Sequence, residues 1–217
     1  QFSHLASIIT KLESLELLKI DLSHICYLSY NDLAILLEAI PRTLKSFALI
    51  LHTFLSSSCQ KLTQALKNLN ELENFEFEVF QKCYINSDDL LSLSQPLSKL
   101  SNLKKFDFRI RDWVIFINDG LKAFLTEIRK FNQLESLFIG VPDIGDVSPE
   151  VIECLSKSLK ELNKLIDMLK GKTVLKNLWI NLNSCYKTTE NSLLLLANRL
   201  GQLETLTTLK LELEEWV

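Results

Sequence analysis

The chain has 217 residues, 47% of them apolar and 24% charged, with a net charge of −3; that supports one sizeable core in a single domain over residues 1–217. Lys and Glu are interspersed rather than blocked, which leaves no electrostatic case for nucleic acid or an anionic membrane as partner. No apolar run approaches the ~18 residues of a membrane span, and Gln1-Phe2-Ser3-His4 lacks the start of a signal peptide, so a cytoplasmic protein is expected.

Phe2, Leu5, Ile9 and Leu12 step by three and four residues, the spacing of one helix face, and predict a helix over 3–12. A different pattern follows in Leu15, Leu18, Ile20 and Leu22, which read Leu-x-x-apolar-x-apolar-x-apolar. The same motif returns at Leu44, Leu72, Leu103, Leu134, Leu175 and Leu206, and none of its 28 anchor positions is polar. Its alternation, as in Phe75-Glu76-Phe77-Glu78-Val79 and Phe106-Asp107-Phe108-Arg109-Ile110, marks strands with one buried face. Between the strands, helical spacing returns over 32–40, 59–69, 88–100, 119–131, 149–170 and 190–200. Asn31-Asp32, Ser87-Asp88-Asp89, Asn118-Asp119 and Ser148-Pro149-Glu150 offer acceptors for the orphan amides of helix starts. First anchors are spaced by 29, 28, 31, 31, 41 and 31 residues, so the unit from Leu134 to Leu175 is long. Its helix, through Ile152, Leu155, Leu159, Leu162, Ile166 and Leu169, reads as a tolerated insertion or a second docking element.

A strand, loop and helix recurring at a near-fixed period is a repeat architecture, each unit burying its apolar face against its neighbours. Single-helix crossovers between parallel strands predict seven strands in one curved sheet with the helices outside. Five cysteines form an odd set without a Cys-x-x-Cys pair. Cys26 and Cys83 share a position eleven residues past their first anchors, and all five read as buried, reduced thiols. Cys26-Tyr27-Leu28, Cys83-Tyr84-Ile85 and Val114-Ile115-Phe116 are expected to plug one loop edge. His4, His24 and His52 are too few and too scattered for a metal site.

On these residues the chain resembles leucine-rich repeat proteins of the ribonuclease-inhibitor-like class, whose period is about 28–29 residues. The resemblance covers essentially the whole chain and implies an α/β solenoid of about seven repeats, its sheet concave and its helices convex. The family's asparagine after the third anchor is replaced here by Ser23, His52, Phe80, Arg111, Pro142, Asn183 and Glu214, of which Asn183 alone matches. The apolar fourth anchor makes the repeat similar to expanded families of some protists. Neither end, mid-helix at Gln1 or Leu213-Glu214-Glu215-Trp216-Val217, reads as a polar cap, and a piece of a longer protein is expected.

No catalytic constellation is present: Gly140 and Gly145 are followed by Asp146-Val147 where a phosphate loop needs Lys and Ser or Thr. No cofactor, metal, catalytic residue or small-molecule substrate is expected. Residues between the core anchors should face the concave side, and there Phe138 and Trp179 share a register on successive strands. They are the expected centre of a protein-binding surface, with Gly140 permitting close backbone approach and Asn181 and Arg109 bonding at its rim. Arg109 and Arg111 also read as ion pairs to Asp107 and Asp112. The expected function is a non-enzymatic scaffold binding another protein, as a subunit of a larger assembly, with a cytoskeletal or ciliary setting one option. A dedicated enzyme inhibitor and a GTPase-activating protein of the Ran type, which shares this repeat, are the alternatives.

Overall fold

The two spacing patterns alternate along the chain, and helices and strands alternate with them. The computed structural model describes residues 2–97, 99–113, 133–140, 175–181 and 205–212, with Phe124, Glu127, Phe131, Leu194, Ala197, Asn198, Leu200, Gly201 and Leu203. In chain order the elements are α1 (Phe2–Lys11), β1 (Leu17–Leu22), α2 (Tyr30–Glu38), β2 (Ser46–Leu51), β3 (Phe54–Leu55) and α3 (Ser56–Leu66). There follow β4 (Asn74–Tyr84), α4 (Ser87–Leu97), β5 (Lys105–Trp113), β6 (Ser136–Gly140), β7 (Asn177–Asn181) and β8 (Thr208–Glu212).

The strands form one open, wholly parallel sheet in the order β1-β2-β4-β5-β6-β7-β8. All seven expected strands are present, and β3 is an addition that pairs with the far end of β4. Register follows the motif: Leu18, Phe47, Phe75, Phe106, Leu137, Leu178 and Leu209 stand side by side across the sheet. A one-residue slip would turn every anchor to the opposite face.

The helices begin one to three residues earlier than their apolar spacing suggests, and for α2 and α4 the capping residues lie upstream. Ser29 caps α2: the Asp32 amide donates to its Oγ at 3.1 Å, and its hydroxyl donates back to Asp32 Oδ2 at 2.6 Å. Ahead of α4 the Asp89 amide donates to Asn86 Oδ1 and the Asn86 amide donates to Asp89 Oδ2, at 3.0 Å each. The polar start of α3, Ser56-Ser57-Ser58, carries no apolar period and no side-chain cap. The helices expected over 119–131, 149–170 and 190–200 lie outside the described residues, except that Phe124, Glu127, Leu194, Ala197, Asn198 and Leu200 are helical. Among the described residues no helix is long and apolar enough to cross a membrane.

The core lies between one face of the sheet and the helices. It joins the strand anchors to Ile9, Leu33, Leu36, Leu62, Leu66, Leu90 and Leu93 from α1–α4. Aromatic rings run through it across the strands, with centroids 6.0 Å apart for Phe47 and Phe75, 5.8 Å for Phe75 and Phe106, and 5.3 Å for Phe77 and Phe108. On the two outer strands, with a neighbour on one side only, coverage is thinner, and the anchor Leu209 stays exposed.

Two expectations need correction. Cys59 and Cys83 are buried, but Cys26 is exposed and Tyr27 beside it is 97% accessible. Among the described residues β1 is the first strand in the sheet order, so the loop after it has a neighbour on one side only; Cys154 and Cys185 lie outside the described residues. Eight residues past the first anchor of β2, where asparagine alone was expected to bond the backbone, His52 Nδ1 stands 2.8 Å from the Ser23 carbonyl; Asn183 lies outside the described residues.

At each entry to a strand, one carbonyl accepts two amides from the next strand. Glu16 O takes Lys45 and Ser46, Lys45 O takes Glu73 and Asn74, and Glu73 O takes Lys104 and Lys105. The pattern continues through Lys104 O, Glu135 O and Lys176 O. The side chains at these points alternate in sign: Glu16, Lys45, Glu73, Lys104, Glu135, Lys176. Ion pairs join Lys45 to Glu16 at 2.6 Å, Lys104 to Glu73 at 2.8 Å and Lys176 to Glu135 at 2.8 Å.

Candidate protein-binding site

On the sheet face opposite the core, period-two alternation sets a single row of side chains: Lys19, Ala48, Glu76, Asp107, Phe138, Trp179 and Lys210, each the Cα partner of the next. Phe138 and Trp179 are therefore direct cross-strand partners, and their rings meet edge to face at 4.2 Å and 80°. Neither belongs to the core cluster.

Cations flank the aromatic pair. The Arg109 guanidinium carbon stands 4.9 Å from the centre of Phe138 and 5.7 Å from that of Trp179. Lys210 Nζ stands 3.6 Å from the centre of Trp179. All three distances suit attraction between a cation and a ring face. Arg109 is itself held by carboxylates: Nε and Nη2 grip Asp107 in a fork at 2.6 and 2.5 Å, and Nη1 donates to Glu78 at 3.1 Å. Glu76 lies 3.5 Å from Nη2. The forked bond to Asp107, against the cost of burial and with the charges of Asp107, Glu78 and Glu76, raises the Arg109 pKa above its already high ordinary value. The guanidinium is a fixed positive charge.

Phe138, expected to be exposed, is only 7% accessible, packed beside Trp179 with Arg109 over its ring, while Trp179 stays partly open. The Trp179 indole N–H is buried and meets no acceptor among the described residues. Asn181 Nδ2 donates to Glu212 Oε2 at 2.7 Å, and Glu212 also pairs with Lys210 at 2.9 Å. A methyl group at Gly140 would meet nothing nearer than 3.7 Å, at Arg109 Cα and Phe138 Cε1, so packing does not demand glycine there.

The structure thus brings Arg109, Phe138, Gly140, Trp179 and Asn181 onto one face of β5, β6 and β7. Arg109 pairs with Asp107 as its sequence position suggests, whereas the side chains of Arg111 and Asp112 lie outside the description. Lys210 falls on the same face by the anchor alternation, one strand beyond Trp179, but was not among the expected binding residues. Among the described residues no group of His, Cys, Asp or Glu has the geometry to hold a metal. No family model matches the chain and no curated protein matches it.

Proposed function

We propose that the chain is a leucine-rich repeat solenoid of the ribonuclease-inhibitor-like kind. On this reading it acts as a non-enzymatic scaffold and binds another protein, a fellow subunit of a larger assembly, through the concave face of its sheet. The observation that carries the reading is the Phe138–Trp179 pair, which stands opposite the core and between two cations. Large aromatics beside a guanidinium are the residue types that dominate binding hot spots. Phe138 forms the floor, and the partly open Trp179 is the contact surface.

Co-purification of the chain with its partner tests the proposal. Trp179→Ala should weaken binding by about 2 kcal/mol or more while leaving the unfolding midpoint nearly unchanged. If the variant loses folding while each folded molecule binds as before, the aromatic pair is structural and this site is wrong.

A further inference from the structure

Around Trp179 four side chains of β7 and β8 form a square, because Trp179 is the direct cross-strand partner of Lys210 and Asn181 that of Glu212. Lys210 Nζ stands 3.6 Å from the centre of the Trp179 ring and 2.9 Å from Glu212 Oε1. Asn181 Nδ2 donates to the other oxygen of that carboxylate, Oε2, at 2.7 Å. An aromatic face, a carboxylate and an amide that fixes the carboxylate together make a site for a cation. The chain fills it with its own lysine.

The two cations beside the aromatic pair are held very differently. Arg109 is gripped by Asp107 through Nε and Nη2 and by Glu78 through Nη1, with Glu76 at 3.5 Å from Nη2. Moving it would strand two buried carboxylates. Lys210 pairs with Glu212 alone, and its side chain is half-exposed, so its ammonium can turn into water at little cost. What it leaves behind is the π-face of Trp179 and the freed Oε1 of Glu212. Both attract positive charge. A guanidinium suits them better than an ammonium, because its plane stacks on the indole, its N–H fork reaches the carboxylate, and it is more weakly hydrated. An anion has no such welcome: Glu212 repels it, and the Arg109 donors are already committed to carboxylates.

We propose that the partner protein docks here through an arginine, whose guanidinium displaces Lys210 from Trp179 and Glu212. Resting on the concave-face reading, this adds the chemistry of the residue that the face recognises. Lys210 is a resident competitor that keeps the ring covered in the free protein. A neutral side chain in its place would leave Glu212 without a counter-charge, so the exchange selects a cation. Asn181 is a positioning residue, which holds the carboxylate while one cation replaces the other.

Titration of the 217-residue chain, followed by NMR of isotope-labelled indole N–H groups, tests the proposal. The probe is acetyl-Gly-Arg-Gly-amide, with the citrulline peptide as its neutral match in shape. The resonance lost in Trp179→Phe identifies the Trp179 indole. The arginine peptide should shift that resonance saturably, and the citrulline peptide should bind about tenfold more weakly or worse. Lys210→Ala should tighten the arginine peptide about threefold or more by removing the competitor, and Glu212→Gln should weaken it about as much. A lysine with a merely structural role would give the opposite sign or no change. Dispersed amide spectra establish that each variant is folded. Equal binding of the two peptides, or an affinity unchanged or lowered by Lys210→Ala, overturns the proposal. With the co-purified partner the two readings separate. Partner binding lost in Trp179→Ala but indifferent to Lys210→Ala and Glu212→Gln removes the arginine and keeps the concave site. A partner indifferent to Trp179→Ala removes both.

Discussion

Arg109 joins two problems that the open face of the sheet poses. Asp107 and Glu78 are both buried there, each only 4% accessible, and a buried carboxylate without a counter-charge is costly. Arg109 bonds to both and spreads over Phe138. Arg109→Ala is expected to cost about 2–4 kcal/mol, measured by urea unfolding, because it takes the forked partner from buried Asp107 and one partner from buried Glu78. Arg109→Lys should recover part of that, since an ammonium keeps the charge but cannot form the fork. Here the sequence was only half informative. Strict alternation placed Phe138 and Trp179 opposite the core, and a period of two leaves no other choice. The cover over Phe138 was not legible, because it depends on where a long, flexible arginine on the neighbouring strand comes to rest. Cys26 shows the same limit: its motif position equals that of buried Cys83, yet exposure is set by what lies next door.

Among the elements, the strand entries carry a signal that apolar patterns cannot reveal. The second residue of each motif is charged from Glu16 to Lys176, and its sign reverses at every step. Glu135 illustrates the effect: the Lys176 ammonium bonds its carboxylate and, with that charge and the weaker one of Lys104, holds its pKa below the usual carboxylate value. A depressed folded pKa means that the contribution is in place above the ordinary carboxylate range and disappears as pH falls through the lower, folded value. Lys176→Met is therefore expected to flatten the slope of stability against pH on the acid side, with the loss confined to pH values where Glu135 is ionised. The pair is exposed, so added salt should shrink the difference between variant and parent. Existence, direction and order of the strands were all written in the motif. Helix starts were not, since Ser29 and Asn86 act through hydrogen bonds rather than through spacing.

For the whole molecule, strand neighbours in the sheet are neighbours in the chain, apart from the short β3. Cooperativity must then be passed from unit to unit. Phe106 is a point of transmission, its ring 5.8 Å from Phe75, 6.1 Å from Phe108 and 6.0 Å from both Phe124 and Phe131. Phe106→Ala should cost about 3–5 kcal/mol, and calorimetry should show the single heat-absorption peak broadening or splitting as the two halves begin to melt apart. A sharp single peak at lower temperature would show that coupling runs by other routes.

The sign reversal along the strand entries has one further consequence, for how such a chain can change length. Charge of one sign recurs only at every second unit, so the molecule has a parity. Excising the single unit that carries Glu73 would set Lys45 beside Lys104, amine against amine. Excising that unit together with the next would set Lys45 beside Glu135 and preserve the match. Units of this chain are thus electrically interchangeable in pairs, and an insertion or deletion of an odd number leaves one like-charge contact that reversing a single charge only moves to the adjacent unit.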